Sequence, residues 1–482
     1  MVFSSIIFLF LFLPATLLLY FGAGRKLRNT VLLGVSLLFY AWGEGGYVLL
    51  MIGSIAMNYL FGIIIAGAAT AWRKKVFLSL IVVLDLAPLL YFKYSYFALD
   101  NIGKFLSLLH VDHSFTPVPV HLPLGISFFT FHTLSYVIDV YRGIVTPQKN
   151  PLDMGLYIAL FPQFIAGPIV RYHDLAKQLL QRSVRLADFS LGVERFVFGL
   201  GKKVLLANPM GAMADRIFAL GIDQLSTVTA WLGIVCYTLQ IYFDFSGYSD
   251  MAIGLARMFG FRFLENFNYP YISRSIREFW RRWHISLSNW FRDYLYIPLG
   301  GNRKGAVRTG LNLLLVFLLC GFWHGASWNF VIWGLVYGLF LVLERGRVGT
   351  WLDRLPAAVQ HLYVIMVVTN AWVFFRAETL GQALRYLGVM YGLAGAGTIY
   401  PEVYINLDLE FYCALALALV LSIPVYPVLS RALQHLDNLA AARHALAVAV
   451  PAVKLSFLAL VLLFATMNLA TGAYNPFIYF RF

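Results

Sequence analysis

Leu311-Asn312-Leu313-Leu314-Leu315-Val316-Phe317-Leu318-Leu319-Cys320-Gly321-Phe322-Trp323-His324-Gly325 is an apolar run that ends on a histidine. A stretch of this kind reads as a membrane helix, which takes roughly 20 residues to cross the hydrocarbon. An ionisable side chain at that depth is expensive, so function is its default reading and a structural histidine the competing one. Gly321 and Gly325 permit a close backbone approach, as a tunnel wall or a substrate contact requires.

The rest of the chain shares that solvent. Of 482 residues, 60% are hydrophobic and 12% charged, with a mean hydropathy of +0.73, far from the mix of a soluble domain. About eleven or twelve apolar runs are candidates for membrane helices. The first, Ile6 to Tyr20, has no positive charge before it and is followed by Arg25, Lys26 and Arg28, so it reads as a retained span and not as a cleaved leader. The net charge of +14 sits in short loops between apolar spans. It reports membrane orientation, not nucleic-acid binding. With Arg25–Arg28, Arg73–Lys75 and the stretch from Arg171 to Arg185 on the cytoplasmic side, the N-terminus and the segment from Phe97 to His121 fall outside. Cys236, Cys320 and Cys413 have neither metal-type nor disulfide-type spacing. Cys320 precedes His324 by four positions, which leaves a thioester-forming nucleophile open beside plain apolar packing.

Leu156 to Val170 is apolar but short, contains Pro162, Gly167 and Pro168, and is flanked by basic loops. It reads as a re-entrant hairpin, since broken backbone survives at membrane depth only where protein or a watery cavity satisfies it. No repeat or long linker divides the chain. The expected architecture is one all-α, polytopic membrane domain over 1–482, with a polar core at about 242–330.

Ten arginines and lysines lie between Arg257 and Arg308, interleaved with Trp280, Trp283 and Trp290. As a plain topology signal this is a cytoplasmic loop with interfacial aromatics. If Ser275 to Phe291 is one helix, Arg277, Arg281, His284 and Ser288 share a face beside an apolar stripe of Trp280, Trp283, Leu287 and Trp290. Such a cationic face suits a phosphorylated donor. Tyr242-Phe243-Asp244-Phe245-Ser246-Gly247-Tyr248-Ser249-Asp250 sets two carboxylates at the edge of an apolar span. Asp244 or Asp250 orients an imidazole or caps the following helix. His132, inside the span from Leu122 to Val140, reads as a hydrogen-bonded core residue. The chain has no Gly-x-Ser-x-Gly elbow and no His-Glu-x-x-His pair, which withdraws the usual support for a hydrolase triad or a zinc protease.

Tyr242 to Asp250, Phe279-Trp280-Arg281-Arg282-Trp283-His284-Ile285-Ser286-Leu287-Ser288 and Trp323-His324-Gly325 together resemble the membrane-bound O-acyltransferase family. The likeness extends to Met1–Ser5, Phe92-Lys93-Tyr94, Ala166-Gly167-Pro168, Leu299-Gly300-Gly301-Asn302-Arg303, Phe374 to Glu378 and the aromatic tail Phe477 to Phe482. It is strongest toward the bacterial branch that includes alginate O-acetyltransferase, with peptidoglycan, cellulose and teichoic-acid acyl-transfer proteins as relatives. The resemblance implies helices around a central tunnel, His324 as the essential histidine and His284 as the second catalytic position. Arg277, Arg281, Ser288, Asp244, Asp250 and Trp323 stand as donor- or substrate-binding candidates. It further implies acetyl-coenzyme A as donor, no metal and no bound cofactor, a polysaccharide acceptor, an extracytoplasmic partner protein, and a multi-pass place in a bacterial inner membrane. A transporter or flippase of an acyl donor or glycan intermediate is the alternative from another class.

Overall fold

The computed structural model describes residues 2–112, 114–394, 407–425, 427–428, 431, 443–472 and 474–476. The aromatic tail Phe477 to Phe482 and Met1 lie outside the described residues. Every regular element among the described residues is helical.

Seven helical runs among them are long and apolar enough to cross a bilayer: Arg28–Gly67, Ala71–Leu108, Thr227–Met258, Gly305–His324, Trp328–Arg345, Ala357–Arg376 and Ala449–Ala470. The first of these has 40 residues, which as one straight helix would reach about 60 Å, twice the hydrocarbon thickness. It breaks instead at Gly45, whose φ of 54° is open to glycine. In chain order the principal helices are α1 (Phe8–Gly22), α2 (Arg28–Glu44), α3 (Val48–Gly67), α4 (Ala71–Leu108) and α5 (Ile126–Tyr141). They continue as α6 (Pro151–Ala159), α7 (Leu186–Gly201), α8 (Asn208–Ala219), α9 (Thr227–Met258), α10 (Ile276–Arg282) and α11 (Ile285–Phe291), then α12 (Gly305–His324), α13 (Trp328–Arg345) and α14 (Ala357–Arg376). The span expected from Leu122 to Val140 forms α5 with 16 residues, and α8 has 12. These fall short of the roughly 20 that a full crossing takes.

α9 is the axis of the molecule, buried over 78% of its most apolar window. Helices in lipid gain little from hydrophobicity against one another, so close association relies on small residues. α7 and α9 meet that way. A Cβ on Gly199 would stand 2.5 Å from the Gly247 carbonyl, and one on Gly192 2.7 Å from that of Gly254. Tyr242 to Asp250, read from sequence as the edge of a span, lies in the uninterrupted interior of α9. Neither aspartate caps a helix. Asp244 pairs with Lys203 at 2.8 Å, and Asp250 with Lys202 and Arg195, each at 2.6 Å.

The stretch from Leu156 to Val170 is broken backbone enclosed by protein, as its prolines and glycines predict. α6 ends at Ala159, a four-residue helix follows at Phe161–Phe164, and a turn and bend over 165–167 lead into irregular chain to Val170, with every residue buried. Its freed backbone groups are met by side chains. Ser36 Oγ accepts from Phe161 N at 3.2 Å, Ser286 Oγ accepts from Ile169 N at 3.0 Å, and Tyr157 donates to the Val170 carbonyl at 3.1 Å. The Ser286 bond ties this stretch to α11.

Candidate functional site

His324 is the last residue of α12, where a helix leaves its final carbonyls without partners. Two residues of α4 supply them. Lys93 Nζ donates to the carbonyls of Trp323 and His324 at 2.6 and 3.1 Å, and Tyr94 OH donates to that of Phe322 at 2.9 Å. Both sit on or beside a π-helical turn, Leu90–Tyr94, that follows Pro88 in α4. Such turns are frequent at functional sites. The His324 ring is boxed by Trp323, Trp333 and Phe375, with centroids at 4.7, 5.0 and 5.3 Å. Trp323 in turn stacks on Phe131 of α5 at 5.0 Å, and Phe131 lies 4.2 Å from Trp290 of α11.

Gly321 and Gly325 have a different use from the one expected. They permit helix packing, not substrate approach. A Cβ on Gly321 would stand 2.2 Å from the Phe330 carbonyl and 3.1 Å from Gly334 Cα, and one on Gly325 would stand 2.2 Å from the Phe330 ring. The α12–α13 crossing therefore sets where His324 ends up. Gly321→Ala is expected to cost about 1–3 kcal/mol, the usual range for overpacking. Thermal unfolding in detergent and turnover per folded molecule both report it, and unchanged values in both would show that the crossing yields freely.

A cavity of about 390 Å³ has His324, Trp323 and Lys93 on its wall together with Ser127, Ile165 and the segment 121–128. Glu44 and His121, paired at 3.1 Å, also line it. The charge reading puts this 97–121 side outside. His284 is not on that wall. His324 thus borders a pocket together with Glu44 and His121.

The single helix expected from Ser275 to Phe291 is two. α10 stops at Arg282, and His284 takes the left-handed conformation, φ 44° and ψ 53°, as α11 begins. That geometry is uncommon for a residue with a side chain and persists where surroundings enforce it. Here the enforcing strand of chain is 266–268. Asn268 N donates to the Arg282 carbonyl at 2.9 Å and Ile285 N to the Asn266 carbonyl at 3.0 Å. The face shared by Arg277, Arg281, His284 and Ser288 therefore does not form. Arg281 is exposed and Ser288 partly buried, while Arg277 donates to the Glu344 carbonyl at 2.9 Å.

Asn266, which carries no local mark in the sequence, holds the buried His284 ring. Its Oδ1 accepts from Ser286 N at 3.2 Å and from Ser286 Oγ at 2.9 Å, and lies 3.1 Å from His284 Nδ1. A backbone N–H only donates, so this atom is the amide oxygen. His284 Nδ1 therefore carries the proton and Nε2 the lone pair. Nε2 is buried and has no hydrogen-bond partner among the described residues. Asn266, not Asp244 or Asp250, orients this imidazole. His284 lies outside the seven candidate spans, and burial pushes it down to about 3. The neutral form is therefore kept, and acidification below the usual imidazole value near 6.5 favours the unfolded chain. A Trp283–Trp372–Trp333 row, with centroids at 5.1 and 6.1 Å, links the surroundings of His284 and His324.

Two further expectations are resolved. His132 is buried, but neither ring nitrogen has a hydrogen-bond partner among the described residues, so it is not the bonded core residue expected. The helical period could place it inside but not show what faces it. Cys320 is buried and absent from the cavity wall, as apolar packing requires.

An all-helical membrane fold presents a buried histidine at a helix end to a cavity and holds a second buried imidazole through Asn266. Residues 122–375 match the membrane-bound O-acyltransferase family, and the chain belongs to it. It is 42% identical to the probable alginate O-acetylase AlgI of Azotobacter vinelandii over the whole of both chains. It is also 47% identical to the protein of the same name from Pseudomonas aeruginosa, over 81% of this chain and 75% of that one. The peptidoglycan O-acetyltransferase of Helicobacter pylori is 37% identical over 82% of this chain and 80% of its own. The protein is a multi-pass membrane O-acyltransferase, in lipid contact along its apolar helices.

Proposed function

We propose that this chain takes an acetyl group from a cytoplasmic thioester, acetyl-coenzyme A, and delivers it across the inner membrane for O-acetylation of an extracytoplasmic polysaccharide, alginate first among the candidates. The observation that carries the reading is His324 on the wall of the cavity on the His121 side, with the Nε2 lone pair of His284 buried nearby. Full-length similarity to a probable alginate O-acetylase supports the polymer, and the peptidoglycan relative supplies the next acceptor to test. His324 takes a proton from an attacking hydroxyl or carries the acetyl group in transit, and neutral imidazole suits both. His284, held through Asn266, polarises or orients the thioester. A partner protein outside completes transfer to the polymer.

Purified protein in liposomes with labelled acetyl-coenzyme A tests this. Covalent transfer of label to protein or to added acceptor supports it, and movement of intact donor without transfer overturns it in favour of a carrier. His284→Ala is expected to lower turnover roughly 100-fold or more, within the range for loss of one acid–base group, while binding of the thioester measured by calorimetry persists. Lost binding with normal turnover at saturation would reduce His284 to a positioning role.

A further inference from the structure

One lysine on the cavity wall has no counterpart in the mechanism so far. Lys93 is partly buried, lines the cavity together with His324, and has its ammonium 5.8 Å from the centre of the Trp323 ring. Its hydrogen-bond partners among the described residues are two carbonyls, of Trp323 and His324, and it forms no ion pair there. An ammonium has three N–H donors. Two are used, which leaves one on a side chain that borders the cavity. A cation without a paired carboxylate is costly in such a place, and a helix end needing a cap can take neutral donors, as Tyr94 does one carbonyl away.

We propose that Lys93 is a catalytic residue of the acyl transfer, the electrophilic group that stabilises negative charge on the acetyl carbonyl oxygen at His324. The inference rests on the reading of His324 as the acyl-transfer centre. In the step, an acceptor hydroxyl oxygen bonds to the thioester carbonyl carbon while its proton passes to the His324 imidazole. The carbonyl π pair moves onto oxygen, where the third Lys93 N–H meets it. On collapse the C=O bond reforms, the C–S bond breaks, and the thiolate leaves with the proton from the imidazolium, so that thioester and alcohol become ester and thiol. Preorganised donors of this kind act where charge develops and are worth about 100- to 1,000-fold in turnover each. The two carbonyl bonds hold the ammonium in place beforehand, so no reorganisation accompanies the reaction.

The test uses the full-length protein in liposomes with acetyl-coenzyme A, thiol release being followed for wild type, Lys93→Met, Lys93→Arg and His324→Ala. Lys93→Met is expected to lower kcat about 100- to 1,000-fold with KM for acetyl-coenzyme A within about threefold. Lys93→Arg, which keeps a cation and its donors, is expected to recover at least about tenfold of that loss. If Lys93→Met instead lowers the unfolding temperature while kcat per folded molecule stays at the wild-type value, Lys93 is only a cap on α12 and the proposal is overturned. Active Lys93→Met beside dead His324→Ala sinks the lysine assignment alone. Undiminished His324→Ala sinks the reading of His324 itself. A wild-type protein that releases no thiol from acetyl-coenzyme A overturns the donor, and the Lys93 step written for that thioester falls with it.

Discussion

His324→Ala is expected to reduce acetyl transfer by about 100- to 10,000-fold, the contribution typical of one positioned proton-transfer group, with membrane abundance and unfolding temperature near those of the parent. The two halves of that expectation come from different features. The α12 end is held by backbone carbonyls that accept from Lys93 and Tyr94, and by the Gly321–Gly334 contact, none of which involves the imidazole. Removing the ring therefore leaves the helix end anchored. What it removes is the ionisable group on the cavity wall, packed between Trp323, Trp333 and Phe375. Thiol release from acetyl-coenzyme A by purified protein, and acetyl content of the exported polymer in cells, are the two measurements. Undiminished values in both, at normal abundance, would remove His324 from the reaction.

Lys203→Met is expected to have the largest effect on folding. Lys203 and Asp244 have side chains 4% and 1% exposed and pair at 2.8 Å beside the central helix. Lys203 also donates to the Pro476 carbonyl. Removing one member of a buried pair takes away the opposite charge that offsets the other's burial, at a cost of about 3–5 kcal/mol, whereas removing both charges together is often neutral. Chemical unfolding in detergent should thus show Lys203→Met strongly destabilised and Lys203→Met/Asp244→Asn mostly restored. A single variant as stable as the parent would mean that the pair contributes nothing. Turnover in the restored double variant also separates a structural Asp244 from one that binds donor. Retained turnover assigns it to the fold.

The membrane class, the all-α architecture and the broken segment at Leu156–Val170 were legible because they follow from local quantities. Apolar run length reports the solvent, and Pro162, Gly167 and Pro168 report where a helix cannot continue. His324 was legible as an ionisable group in an apolar run, and the wider pattern of motifs gave it a family and a role. The spacing argument failed at 275–291. Helical periodicity assumes that each backbone N–H bonds within its own segment, but Ile285 N bonds to Asn266, and Asn268 N takes the Arg282 carbonyl. A competing partner 18 or so positions away in the chain is invisible to any window centred on His284.

By itself the sequence determined the solvent and the secondary-structure class, since each depends on residue type and near neighbours, and it marked the two histidines as candidates. Tertiary structure alone decided what surrounds them: Asn266 fixing the proton on His284 Nδ1, Lys93 reaching the end of α12, and glycines 321 and 325 serving helix contact. Each of these is a meeting of distant segments, and hydrogen-bond geometry and backbone clearance exist only once the segments have met. His324 opens to the cavity on the Glu44 and His121 side for the same reason, because that wall is assembled from five separate stretches of chain.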